Sequence, residues 1–119
     1  MANVSDSIRS LLSIDGASAA AVVDYRSGMV LGKDGTGVNL DMAAAGNTEV
    51  VRAKMKTMKT LGIKGTIEDM LITLDNQYHI IRPCASHDGL FIYLVLDKTK
   101  ANLAMARYKV VEIESSLHV

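Results

Sequence analysis

The spacing of hydrophobic residues changes several times along this chain, and each change predicts one element of secondary structure. Apolar residues recur every three to four positions in three segments, as in amphipathic helices, and they alternate or run together in five shorter segments, as in strands. Glycine, asparagine and aspartate separate the segments, which is typical of turns. The pattern predicts helices over residues 4–14, 40–61 and 98–117 and strands over residues 17–25, 29–33, 66–75, 77–85 and 90–96.

Five strands between three helices predict an α/β domain of the α+β type, in which one five-stranded antiparallel sheet is sandwiched between helices. The order is α-β-β-α-β-β-β-α, and residues 1–119 are too few for two independent cores, so we expect one domain. The most hydrophobic strand, LFIYLVL at 90–96, is predicted to be central. Pro83 should end the strand before it, because proline cannot donate to a ladder, and Asp97 is the predicted N-cap of the last helix.

The composition is that of a globular protein with a surplus of apolar residues. These make up 49% of the chain, and since a short chain has much surface for its volume, we expect part of the apolar surface to be covered by another subunit. The single cysteine, Cys84, excludes an intrachain disulfide and favours a reducing compartment. The N-terminus lacks a signal-peptide pattern, and the longest apolar run is far below the ~20 residues of a membrane-spanning helix. We therefore expect a soluble, cytoplasmic protein without membrane insertion.

The charges argue against a nucleic-acid partner. Lys plus Arg and Asp plus Glu both number 13, so the formal net charge is zero. The densest basic stretch has no aromatic residue that would stack on a base, and we interpret it as the solvated face of a helix. It contains Arg52, Lys54, Lys56, Lys59 and Lys64.

No segment carries the spacing of a catalytic or cofactor site. GMVLGKD at 28–34 has one residue too few between its glycines for a phosphate-binding loop and lacks the hydroxyl residue that would follow. Cys84 and His87 could pair a nucleophile with a base, but we interpret them as a buried small residue beside a polar turn. The histidines lack metal-ligand spacing, and Glu112 and Glu114 are predicted to face solvent. We expect no enzymatic activity, metal or cofactor.

Two long segments resemble the Roadblock family. LLSIDGASAAAVVDYRSGMVLG at 11–32 is similar to the opening of that family, which has a short helix, a glycine turn, an Ala/Val-rich strand, a glycine hairpin and a second apolar strand. LFIYLVLDKTKANLAMARYKVVEIESSL at 90–117 resembles its central strand, Asp cap and closing helix, with Asn102 and Leu103 in the usual place. The resemblance covers nearly the whole chain, looks closest to stand-alone bacterial members, and implies a Roadblock/profilin-like fold.

The resemblance also implies a homodimer, in which the third strands of two copies pair across a two-fold axis and the long central helices lie together on one face. The residues agree, because the third strand carries no proline or lysine that would block pairing at a sheet edge. The implied interface on the strand comprises Thr66, Ile67, Glu68, Asp69, Met70, Leu71 and Ile72. On the helix it comprises Asn47, Val50, Val51, Lys54 and Met58.

For function, the resemblance implies a regulator or scaffold that binds a Ras-like small GTPase. Some Roadblock proteins accelerate GTP hydrolysis on their partner, so stimulation is the finer expectation. The candidate GTPase-facing residues are Arg26, Arg52, Lys56 and Lys59. Two alternatives are open. One is an adaptor in a signalling or motor complex, with a sensor kinase as a possible partner; the other is a small-ligand sensor, which requires a pocket with convergent polar groups.

Overall fold

One sheet lies between two helical layers in the computed structural model of the chain, which describes residues 2–119. The element order α-β-β-α-β-β-β-α confirms the order predicted from the sequence. The elements are α1 (Val4–Leu12), β1 (Ala17–Asp24), β2 (Met29–Gly35), α2 (Leu40–Thr60), β3 (Met70–Thr73), β4 (Gln77–Pro83), β5 (Leu90–Asp97) and α3 (Leu103–Ser116).

The sheet has the strand order β2-β1-β5-β4-β3, and every pairing is antiparallel. β5 is the central strand, and all of its residues except Asp97 are buried, which confirms the prediction from its continuous hydrophobic run. β4 ends at Pro83, as predicted, because that residue has no N–H for the ladder.

Successive side chains of the central strands point to opposite faces of the sheet and belong to two separate hydrophobic cores. On one face, Ala20, Val22 and their neighbours pack with α1 and α3. On the other face, Ala19, Ala21 and Val23 pack with α2. The small side chains of β1 therefore allow a helix to lie close on each side of the sheet, and α2 covers mainly β1 and β2.

β2 continues two residues beyond its predicted end. Asp34 and Gly35, which lie outside the predicted strand 29–33, pair with Ala20 and Ala19 of β1. Gly35 has φ +114°, and a Cβ atom there would clash with the carbonyl oxygen of Ser18. Only glycine fits this close approach of two backbones, and so the strand continues through a residue that the sequence alone associates with a loop.

The last helix begins five residues later than predicted. Asp97 caps a turn instead of the helix, because its Oδ1 accepts hydrogen bonds from the backbone N–H and hydroxyl of Thr99 at 2.9 and 2.7 Å. Asn102 is the N-cap, and its Oδ1 accepts from the backbone N–H of Met105 at 3.0 Å. Asp97 and Asn102 can both cap a helix, so the sequence alone leaves the start of α3 ambiguous. Asp97 caps the turn between them, and α3 therefore begins after Asn102.

No helix within residues 2–119 is long and apolar enough to cross a membrane.

Candidate partner-binding surfaces

One face of α2 packs on the sheet of its own chain and is unavailable to a partner. Its buried residues are Leu40, Ala44, Thr48 and Val51. Val51 is among the predicted dimer-interface residues, yet it has no accessible surface in the single chain. The single chain therefore gives Val51 no surface to offer a partner, because the helical period places this side chain in the intramolecular core.

One flank of α2 carries the other predicted interface residues. Asn47, Val50 and Lys54 follow each other at three- and four-residue spacing, which places them along one side of the helix. Val50 and Lys54 are exposed, while Asn47 and Met58 are half-buried. This flank combines an exposed aliphatic side chain with a free lysine.

The opposite flank of α2 carries Arg52, Lys56 and Lys59, which we call the basic stripe. The three residues are exposed, and none forms an ion pair with another residue of 2–119. Residues 50–67 as a whole contain five Lys or Arg and no Asp or Glu, in a chain of zero net charge. The structure thus brings three of the four predicted GTPase-facing residues together as an uncompensated positive surface.

Arg26, the fourth of these residues, lies apart from the basic stripe in the β1–β2 turn. Its backbone N–H and its guanidinium both donate to Asp24, and these bonds lower the pKa of that carboxyl. The Arg26 guanidinium is therefore occupied within the chain, whereas that of Arg52 is not.

The free edge of β3 can accept another strand. β3 pairs with β4 from Met70–Ile81 to Thr73–Tyr78 and has no neighbour on its other side among residues 2–119. Its four residues, MLIT, include no charge, proline or glycine, so nothing in the strand obstructs further pairing.

The other sheet edge, β2, is irregular and carries charged residues and glycine. The register between β1 and β2 shifts by one residue at Leu31, which is a β-bulge, and the strand continues with Lys33, Asp34 and Gly35. Bulges and charges are the means by which native proteins block pairing at an edge. The two edges of the sheet are therefore not equivalent, and β3 is the open one.

β3 is shorter than the predicted strand, and two arginines bind the residues that precede it. We call residues 61–69 the connector. The Arg107 guanidinium binds both carboxylate oxygens of Asp69 at 2.8 and 2.9 Å, and Arg82 Nη1 donates to the carbonyl of Glu68 at 2.8 Å. Of the seven predicted interface residues on this strand, four belong to the connector, and Met70, Leu71 and Ile72 lie on β3. The four are Thr66, Ile67, Glu68 and Asp69.

A buried ion pair joins the end of β4 to α3. Glu114 is only 3% exposed, and its Oε1 accepts from Arg82 Nε at 3.3 Å and from the backbone N–H of Ala85 at 3.1 Å. Its Oε2 accepts from the Ser86 hydroxyl at 3.0 Å. Since Arg82 also holds the connector, this cluster links α3, the β4–β5 turn and the segment before β3.

The prediction that Glu114 faces solvent is therefore wrong, although the sequence contains a signal. Glu114 lies four residues after Val110 and eight after Ala106, both buried on the sheet-facing side of α3. Its helical position thus belongs to the apolar stripe, and a carboxylate there requires a partner. That partner is supplied from a distant segment of the chain.

A polar network lies on the α2 side of the sheet. The Tyr93 hydroxyl and Nδ1 of His79 are 3.0 Å apart, and Nε2 of His79 is 3.0 Å from Oε1 of Gln77. An amide oxygen only accepts, so Nε2 carries the proton and Nδ1 accepts from Tyr93 in a neutral ring. Burial lowers the pKa of His79, which favours the same neutral form.

Cys84 has the environment of a packing residue. It is buried, and burial together with the nearby Glu114 carboxylate raises its pKa to about 12, so the reactive thiolate is scarce at neutral pH. The ring of His87 hydrogen-bonds the carbonyl of Leu117 at 2.8 Å. Residues 2–119 contain no group of three or more His, Cys, Asp or Glu placed to hold a metal ion.

The fold is that of Roadblock/LC7 domains. A Roadblock/LC7 domain from Streptomyces avermitilis superposes with a TM-score of 0.82 over 97% of this chain and 94% of that chain, at 14% identity. MglB from Myxococcus xanthus superposes with a TM-score of 0.76 over 88% of this chain and 83% of its own, at 14% identity. An MglB in a tetrameric arrangement gives a TM-score of 0.82 over 95% and 83%, at 18% identity. No protein-family model and no curated protein matches the chain.

Replacing Glu114 by alanine should strongly destabilise the fold. The change leaves the Arg82 charge and two donors in the β4–β5 turn without their acceptor, which should cost roughly 3 kcal/mol in the free energy of unfolding. Glu112→Ala, on the exposed side of the same helix, should change it by less than about 0.5 kcal/mol. Urea unfolding of both variants measures this, and equal effects would contradict the role assigned to Glu114.

Stability should fall at mildly acidic pH because of His79. The folded chain keeps the ring neutral, whereas the unfolded chain protonates it near the ordinary value of 6.5. The contribution of His79 is therefore complete above about pH 6.5 and is lost as the pH falls through the lowered pKa of the folded state. Urea unfolding at pH 7.5 and 5.5 should show a larger loss for the wild type than for His79→Gln. An identical loss in both would show that another group causes it.

Proposed function

We propose that this chain is a homodimeric member of the Roadblock family that binds and regulates a Ras-like small GTPase and has no enzymatic activity of its own. The proposal rests on the presence of two features in one chain: the edge of β3 is open, and one flank of α2 is basic and uncompensated. The fold and the two segments that resemble Roadblock proteins support the same interpretation.

The open edge favours a two-fold dimer. Two β3 strands that pair antiparallel would satisfy each other's free N–H and C=O groups and join the two sheets into one, in a closed contact. Leu71 and Ile72, which point to opposite faces of β3, are both partly exposed in the single chain and would lie at this junction. The tetrameric arrangement of one solved MglB is a precedent for assembly of this fold.

The half of the sheet that α2 leaves open also favours the dimer. On that face Ile72 of β3 pairs with His79 of β4, and neither is fully buried. A second copy of α2, contributed across the two-fold axis with its Val50 and Lys54 flank inward, would cover this area. The polar network at His79 would then lie beneath the interface.

The basic stripe is the proposed GTPase-facing surface. In this arrangement it lies on the flank of α2 that is turned away from the two-fold axis and so stays accessible. If the partner's GTP hydrolysis is stimulated, Arg52 is the better candidate for a charge-stabilising arginine, because Arg26 is tied to Asp24. A signalling adaptor that binds another protein through the same stripe is the remaining alternative.

Light scattering at micromolar concentration should report twice the 12.8 kDa of one chain. Ile72→Asp should raise the dimer dissociation constant by roughly tenfold or more, because it places a charge at the proposed strand junction. Leu31→Asp is the matched control, since Leu31 is 39% and Ile72 37% exposed but Leu31 lies on the opposite sheet edge. A monomeric wild type, or a dimer disrupted only by Leu31→Asp, would refute pairing through β3.

Titration with a cognate GTPase loaded with GTP or GDP should show nucleotide-dependent binding. Reversing two charges of the basic stripe, as in Lys56→Glu with Lys59→Glu, should weaken binding by about tenfold or more and reduce its dependence on salt. Arg52→Ala, compared with Arg26→Ala, should preferentially lower any stimulation of GTP hydrolysis. Binding that depends neither on the bound nucleotide nor on the charges of the basic stripe would exclude this function and leave the adaptor role.

A further inference from the structure

We infer that the space beneath the connector is a docking cleft for a peptide segment of a partner protein. The segment would place one large apolar side chain in the cleft and acidic residues along the basic stripe. This goes beyond the proposed GTPase binding, because it assigns a new site, the cleft, and a second kind of partner that would share the basic stripe with the GTPase.

The cleft has about 740 Å³ of accessible space and mostly apolar walls. Its apolar lining comes from Met55 and Met58 of α2, from Ile63 and Ile67 of the connector, and from Pro83 at the end of β4. The volume is within the ~300–1,000 Å³ typical of specific binding pockets. Methionine side chains adapt to differently shaped partners, so these walls suit an aliphatic or aromatic anchor.

Charge is distributed unequally around the cleft. On the α2 rim, the Lys59 ammonium is free and continues into the basic stripe. The lining also contains two carboxylates, of which Asp88 lies near Arg26 and Glu68 near Arg107. The Arg82 guanidinium is engaged by Glu114 and the connector. Lys59 is therefore the cation of this lining that has no ion-pair partner among residues 2–119, and it favours an occupant with acidic groups on the side of the anchor that faces α2.

The length of the basic surface favours a chain over a small molecule. Arg52 and Lys59 are seven residues apart, which is about 10 Å along a helix, and only Lys59 reaches the cleft. A compound enclosed in the cleft would leave Lys56 and Arg52 without a counter-charge, whereas a peptide that leaves the cleft along α2 passes all three. The cleft and the stripe together thus fit a segment with an apolar anchor followed by two or three acidic residues.

Selection of a displayed library of random 12-residue peptides on the purified homodimer tests this inference. We expect enrichment of sequences with one large apolar residue and Asp or Glu on one side of it. A synthetic consensus peptide should then bind the wild type with an affinity that falls as salt increases. Ile63→Glu and Lys59→Glu should each weaken binding at least tenfold.

Two matched variants serve as controls. Val111→Glu changes an aliphatic residue on α3 that is 42% exposed, compared with 51% for Ile63, and Lys109→Glu changes an exposed helical lysine away from the cleft. Both should bind the peptide like the wild type. GTPase binding is measured on the same proteins, and Ile63→Glu should retain it. A result against peptide binding in the cleft can therefore be distinguished from a result against the proposed GTPase binding.

Three results would overturn the inference. The first is a selection that enriches nothing above an unrelated control protein, and the second is a consensus without acidic residues. The third is dissociation of the homodimer by Ile63→Glu, which would identify a second copy of this chain as the occupant of the cleft.

Discussion

The buried ion pair between Arg82 and Glu114 is the constraint on which the arrangement of the surfaces depends. A charge removed from water is tolerated only when its hydrogen-bonding capacity is nearly satisfied, and Glu114 meets this condition with the guanidinium, a backbone N–H and a hydroxyl. Arg82 extends the cluster to the connector through the carbonyl of Glu68. One cluster therefore fixes α3, the β4–β5 turn and the chain before β3 relative to one another.

The position of the connector determines the edge and the cleft alike. Arg82 of β4 binds the carbonyl of Glu68, and Arg107 of α3 binds the carboxylate of Asp69. The residues before Met70 do not pair with β4, and the edge strand is short and uncharged. The same anchoring leaves a space between the connector and the second half of α2. The proposed dimer contact and the proposed docking cleft are thus separate consequences of one set of contacts.

Much of the fold could be predicted because its causes are local. The continuous apolar runs of β1 and β5 and the proline at the end of β4 each specify an element from neighbouring residues. The boundaries of β3 and α3 could not be predicted in this way. The first coincides with a hydrogen bond from Arg82 to the Glu68 carbonyl and an ion pair of Arg107 with Asp69, between residues 14 and 38 positions apart. The second depends on which of two capping residues meets the helix. Val51 is a further example at the candidate interface. Its position was predicted to face a partner, but its side of α2 packs on the sheet of its own chain.

By itself, the sequence determined the order of the elements, the central strand and the resemblance to the Roadblock family, because hydrophobic periodicity and turn residues act over a few positions. It also determined that the positive charge would concentrate between residues 50 and 67. Only the tertiary structure decided that Glu114 is buried, that β3 rather than β2 is the open edge, and that Arg52 is free while Arg26 is not. These properties depend on which residues, far apart in the sequence, come into contact in the fold. The sequence identifies a carboxylate, a strand or an arginine but does not show whether a partner lies beside it.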